Sequence, residues 1–435
     1  MNRSLSSDET VRRSAPAREA VLRAHPLLDP DLQAHHPELH HALQRTHQRV
    51  ESSEAEYQKL LNLILQPPET ERPFAASQLE VAYFLNEAAR YLEALLELLP
   101  RRRRSGFRPL PVVRECNDVR ELLALIFDRG DERLAFEARR KLYLGRLFFA
   151  VERNWHVQRG EVHRTFLEDL LRRRLFRHVG GERQIDIAFN IAADGLAIDY
   201  AVGPPLPEQE AWRFDLREIA LPGERTAPPI RVYFYSCRSK REVLPFRYVA
   251  GQRVQQLRAV EKWSQLSLRR DASIISKMLR LGISDPGAIP DILGLMFIVE
   301  DAAQVERLFR VLSDMLGGVL RVRDIVNTLT RDARAATLNP YSGAGYRVFK
   351  AVIDMLYREP GSDAAPYNFA VELQLYTLES YLRTIHTRHY ANHQALKRRQ
   401  FVEGLAPLLF PERFYGALPR GGGSAGAGHA ERAQS

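Results

Sequence analysis

Glu372 and Gln374 stand two residues apart in the run Phe369-Ala370-Val371-Glu372-Leu373-Gln374-Leu375. As a strand, this run puts Phe369, Val371, Leu373 and Leu375 on one apolar face and Glu372 and Gln374 on the other. A carboxylate so placed is either a solvated surface group or part of a site. A second carboxylate, Asp291, opens the apolar run that continues to Val299. Two carboxylates on neighbouring strands of one sheet can hold a divalent cation, which takes oxygen ligands and bridges phosphates. Asp291 and Glu372 are the candidate metal pair.

Other chemistry is weaker. His35, His36, His40 and His41 crowd one segment, and His36 and His40 could share a helix face as ligands. Glu38 alone would complete the set, so a solvated helix start accounts for them better. The tail stretch Gly421 to Gly426 fits G-x-G-x-x-G formally, but no strand precedes it and no helix follows. It is not a dinucleotide loop.

The elements that must carry these residues follow from periodicity. Helical spacing dominates from about residue 29 to 180. Its clearest helix opens at Ser77-Gln78-Leu79-Glu80, a capping box, and buries Val81, Phe84, Leu85, Ala88, Leu92, Leu95, Leu96 and Leu99. The run Arg101 to Arg104 sits favourably against its negative end. Between about 181 and 250 the period becomes two, with a hairpin expected around Asp194-Gly195 and a further strand at Ile230-Val232-Phe234. Asp301 is placed to cap a helix that Gly317-Gly318 ends.

The expected organisation is a leader over 1–28, a helical region over 29–180, a β-rich segment over 181–255, a catalytic-type domain over 256–412 and a tail over 413–435. The β-rich strands are expected to stand outside that last domain.

Composition narrows the setting. The chain has 435 residues, 45% apolar and 27% charged, enough for sizeable cores. No apolar run approaches a membrane span, the N-terminus lacks a secretory core, and two cysteines cannot build a disulfide framework. A cytoplasmic protein without a membrane partner is expected. The net charge is +9, and only seven of the 63 basic residues are lysines. Arginine grips phosphate through a planar fork, which suits nucleotide or RNA partners and equally suits an arginine-rich solvated surface.

The order of five short blocks then becomes informative: Ser273-Ile274-Ile275-Ser276-Lys277-Met278, Asp291-Ile292-Leu293-Gly294-Leu295, Arg321-Val322-Arg323-Asp324-Ile325-Val326, Gly345-Tyr346 and Val371-Glu372-Leu373-Gln374. Together they resemble the synthetase domain of RelA/SpoT-like alarmone synthetases, over about a third of the chain. The resemblance implies an α+β fold, a nucleotidyltransferase-like mixed sheet flanked by helices, preceded here by the helical region and the β-rich segment. It implies transfer of pyrophosphate from ATP to the 3′-hydroxyl of GDP, GTP or a related acceptor, with Mg²⁺ as cofactor. Asp291 and Glu372 would hold the metal, with Glu372 also a base for the acceptor hydroxyl. Arg269 and Lys277 would grip ATP phosphates, and Arg321 and Arg323 would form a basic edge. Tyr346 would stack on the acceptor base, and Gln374 would support Glu372 or the acceptor ribose.

Departures from the family pattern are specific. Its arginine after the first strand is Met296 here, its serine and histidine after Gly-Tyr are Val348 and Lys350, and its last arginine is Tyr376. Losing one charge-assisted phosphate contact costs on the order of 1.5–3 kcal/mol. No histidine is followed by aspartate, so the hydrolase activity of long family members is not expected. The alternatives are a decayed nucleotide-binding or scaffold protein and an arginine-rich RNA-binding protein. An oligomer is compatible with either reading.

Overall fold

The computed structural model describes residues 18–65, 73–99, 101–127, 130–192, 197–207, 209–221, 227–240, 252–253, 271–329, 346–361, 363–386 and 398–417. Within the helical region, α1 (Phe74–Leu96) buries the whole expected stripe from Val81 to Leu96, and Leu99 beyond its end is buried too. The capping box is not used. The helix starts three residues earlier, where Phe74 packs edge-on against Tyr57, and Glu80 instead pairs with Arg153 at 2.9 Å. Ser77 and Glu80 thus lie inside the helix. The carbonyl end behaves as charge predicts: Arg104, on α2 (Arg101–Phe107), donates to the Leu99 and Glu97 carbonyls at 2.9 and 3.0 Å.

The long helix α3 (Glu132–Arg153) packs against α1, and α4 (Gly160–Arg174) leads to the sheet. There β1 (Val179–Ile191) and β2 (Ile198–Val202) form the expected hairpin, in register Phe189 with Tyr200. Its turn residues Asp194 and Gly195 lie outside the described residues. β3 (Glu210–Ile219) pairs with β1, and β4 (Ile230–Ser239) follows; a two-residue strand β5 (Gln252–Arg253) also pairs with β3.

After α5 (Ala272–Leu281) come β6 (Leu293–Val299), α6 (Ala302–Met315), β7 (Val322–Asn327), β8 (Phe349–Tyr357), β9 (Tyr367–Thr377) and α7 (Leu378–Ile385). Asp301 caps α6, accepting from the Gln304 amide at 2.8 Å. Gly317 and Gly318, at φ 121° and 90°, end it in backbone that side chains avoid.

The strands form one mixed sheet in the order β2-β1-β3-β4-β6-β9-β8-β7. The β-rich segment is antiparallel as the alternation requires, but it does not stand outside. β4 pairs with β6 from Val232–Val299 to Ser239–Leu293, so the sheet runs straight across the expected boundary near 255. The reason lies in the strands themselves: β6 is apolar on both faces, LGLMFIV, and such a strand needs neighbours on both sides. β9 covers one side in parallel and β4 the other.

One face of the sheet carries Leu295, Phe297, Val371, Leu373, Ala351 and Ile353 against α4 and α6. The opposite face buries Ile298, Tyr376, Phe189 and Trp212 under Leu378, Tyr381 and Leu382 of α7. A third core joins α1 and α3 to Ile274, Ile275, Met278 and Leu279 of α5. His25, fully buried, ties that junction: its Nε2 donates to the Met278 carbonyl at 3.1 Å and its Nδ1 meets the Tyr143 hydroxyl at 2.6 Å.

His163 of α4 predicts an acid sensitivity. Its ring stacks on Phe369 at 4.2 Å, is 2% exposed and shares a hydrogen bond with the Tyr367 hydroxyl at 2.8 Å. Burial, helped by His156 and Arg159, pushes its pKa down to about 4. The unfolded chain titrates near 6.5 and so binds more protons between the two values. Stability is therefore intact above about pH 6.5 and lost as pH falls towards 4. Between pH 7 and 5 this residue should cost about 2 kcal/mol. Urea midpoints of wild type and His163→Phe at both pH values check it; equal acid losses in the two proteins would refute it.

Candidate active site

The face of the sheet that carries Glu372 is built by register. Glu372 of β9 lies level with Gly294 of β6 and Val352 of β8, and Gln374 lies level with Met296 and Lys350. Gly294 is in turn level with Arg238 of β4. A Cβ placed on Gly294 would meet nothing within 4 Å, so the floor between Arg238 and Glu372 is open.

Asp291 stands two residues before β6, and the strands of Asp291 and Glu372 are parallel neighbours. Its carboxylate takes Lys277 Nζ of α5 at 2.8 Å and Lys240 Nζ, just past β4, at 3.1 Å. Burial alone would raise the Asp291 pKa; the two ammonium groups outweigh it and hold the carboxyl well below the usual range. Lys277 is pulled the other way by burial, opposed by the charges of Asp291 and Glu372. The α5 helix that presents Lys277 is braced from the helical region, where the Tyr91 hydroxyl meets Ser276 Oγ at 2.7 Å.

Lys350 completes the cluster from β8. Its ammonium lies 5.8 Å from the centre of the Tyr346 ring. Burial works against its charge, but Tyr346 and the carboxylates of Glu372 and Asp291 outweigh it and raise its pKa above that of an ordinary lysine. Both carboxylates thus act on both Lys277 and Lys350, so all four groups face one space.

A hydrogen-bond chain runs along the same face. The Gln374 amide donates to Glu372, the Tyr376 hydroxyl donates to Gln374 Oε1 at 3.3 Å, and the hydroxyls of Tyr376 and Tyr346 lie 2.7 Å apart. Gln374 therefore touches Glu372, as expected for a supporting residue. Tyr346 is half-buried with its hydroxyl engaged by Tyr376.

The basic edge is elsewhere. Arg323 of β7 makes a two-point contact with Asp354 at 2.7 and 3.0 Å, and Arg321 donates to Asn368 and to the Asp354 carbonyl. Arg323 is two strands from Glu372, roughly 10 Å at ordinary strand spacing, and its fork is spent on a protein carboxylate. Arg269 lies outside the described residues. Sequence reading missed Lys240, because no motif contains it; only the β4–β6 pairing brings it to Asp291. Lys350 and Tyr376 entered as departures from a pattern, yet both are members of the site.

A resident divalent cation does not fit this donor set. Both Asp291 oxygens carry ammonium groups, Glu372 accepts from Gln374, and among the described residues no third histidine, cysteine or carboxylate joins them. The expected metal pair is instead a pair of carboxylates engaged by ammonium and amide groups.

No family model matches the chain, and no curated protein matches it. Among solved structures, the small alarmone synthetase 1 from Bacillus subtilis overlaps 26% of this chain and 51% of its own, at 20% identity and a TM-score of 0.19. The same synthetase bound to its product pppGpp overlaps 30% and 63%, at 22% identity and 0.21. A GTP pyrophosphokinase family protein from Streptococcus pneumoniae overlaps 26% and 50%, at 21% identity and 0.19. The chain spans from half to under two thirds of these structures. Overlap of that size carries no weight by itself.

Among the described residues no helix is long and apolar enough to cross a membrane.

Proposed function

We propose that this protein is a nucleotide pyrophosphokinase, transferring pyrophosphate from ATP to the 3′-hydroxyl of a guanine nucleotide or related acceptor. One observation carries the reading. A carboxylate, Glu372, is oriented by Gln374 on an open sheet face and flanked by ammonium groups from three separate elements. That is a proton acceptor beside an anion-binding surface, and phosphoryl transfer is catalysed mainly by positioning and charge neutralisation.

In this reaction Glu372 takes the proton of the acceptor hydroxyl. The hydroxyl oxygen forms a bond to the β-phosphorus of ATP, the bond from that phosphorus to the bridging oxygen breaks, and AMP leaves with the electron pair. Lys277 and its neighbours hold the phosphates, and the Tyr346 ring lies beside the acceptor base. Mg²⁺ accompanies nucleotide phosphates in many such enzymes, but no step here is assigned to it. Mass spectrometry of reactions holding ATP and each of GDP, GTP, ADP and tRNA, with and without Mg²⁺, tests the proposal. The expected result is AMP in equal amount to one pyrophosphorylated acceptor. Absence of AMP with every acceptor would count against transfer altogether.

A further inference from the structure

We propose that Lys240, Lys277 and Lys350 stand in the place of a divalent cation and bind a polyphosphate directly, so that the site grips its donor without metal. The inference rests on the nucleotide-transfer reading only for the identity of the donor.

Lysine usage is the first support. The chain has seven lysines among its 63 basic residues, and three of the seven meet here. Elsewhere positive charge is left mostly to arginine. A lysine ammonium is a compact point charge with three rotatable donors, closer to a metal ion in shape than the planar guanidinium is.

Placement is the second. Lys240 follows the end of β4, Lys277 projects from α5, and Lys350 lies on β8 across from Gln374, diagonal to Glu372. The three come from different elements and surround the open floor over Gly294. Asp291 holds two of them now, at 2.8 and 3.1 Å, as a surrogate anion.

Charge is the third. Three ammonium groups and two carboxylates leave an excess of positive charge. Adding a divalent cation would enlarge that excess, whereas a polyphosphate neutralises it.

Titration calorimetry with inorganic tripolyphosphate, and separately with ATP, in EDTA and in Mg²⁺, tests this on the full chain. Affinity in EDTA should lie within about threefold of that in Mg²⁺. Lys240→Met and Lys350→Met should each weaken binding in EDTA about tenfold or more, the value of a charge-assisted contact. Asp291→Asn should bind equally or more tightly, because it releases two ammonium groups; a metal ligand would show the opposite sign. Lys350 is half-buried, so thermal melts accompany each variant, and Lys240→Met, at a strand end, keeps the test open if Lys350→Met fails to fold. Binding that requires Mg²⁺, or that ignores both lysine changes, overturns the inference. Tripolyphosphate carries no acceptor or nucleoside, so a failure of pyrophosphate transfer would leave this titration unchanged.

Discussion

Glu372→Gln should lower kcat about a thousandfold, within the range of a removed general base, while donor and acceptor binding stay within a few-fold. The exchange keeps size and hydrogen-bonding reach and removes only the proton acceptor. Gln374 would still find a partner in the new amide, and the strand partners of β9 on both sides are untouched. Initial rates of AMP release, with binding measured separately by calorimetry, check this. A variant that retains a tenth of wild-type kcat would take the base role away from Glu372. A variant that loses binding as well would make it a phosphate or ribose contact.

Tyr346→Ala should raise the acceptor KM about 5- to 150-fold, as expected for the 1–3 kcal/mol of a stacked base. The hydroxyl of Tyr346 is bound to Tyr376, which fixes the ring while Lys350 lies 5.8 Å from its centre. Tyr346→Phe keeps the ring and removes only that bond, so its KM should move much less. The pair of variants separates stacking from support. If alanine and phenylalanine shift KM equally, the hydroxyl matters and the ring does not. If Tyr346→Ala merely lowers the melting temperature with KM unchanged, the residue packs against Tyr376 and does nothing for the acceptor.

Local pattern makes most of the elements legible. The stripe from Val81 to Leu99 and the alternation from Ile185 to Ile191 each state their own period, and the structure buries or pairs them accordingly. β3 carries the same signal, since Trp212, Phe214 and Leu216 alternate with Arg213, Asp215 and Arg217, though it is not among the strands expected from the sequence. Non-local features are not legible in that way. The pairing of Arg238 with Gly294 joins residues 56 positions apart, and nothing near Lys240 signals that it will meet Asp291. The start of α1 departs from expectation because the capping box is a local preference, outweighed by the contact of Phe74 with Tyr57. Motif order places Glu372 and Gln374 together correctly, but it assigns phosphate contacts to Arg323, whose carboxylate partner Asp354 arrives from the next strand.

Because β4 and β6 are hydrogen-bonded along their length, a cut through residues 241–270 would divide a sheet and not a linker. The C-terminal fragment would then display one bare edge of Leu293–Val299, seven residues without a charge or a proline. Unpaired edges of that composition recruit other chains. The N-terminal half thus acts as a built-in edge guard for the strand beside the site, and a shortened enzyme would be limited first by self-association and only then by chemistry.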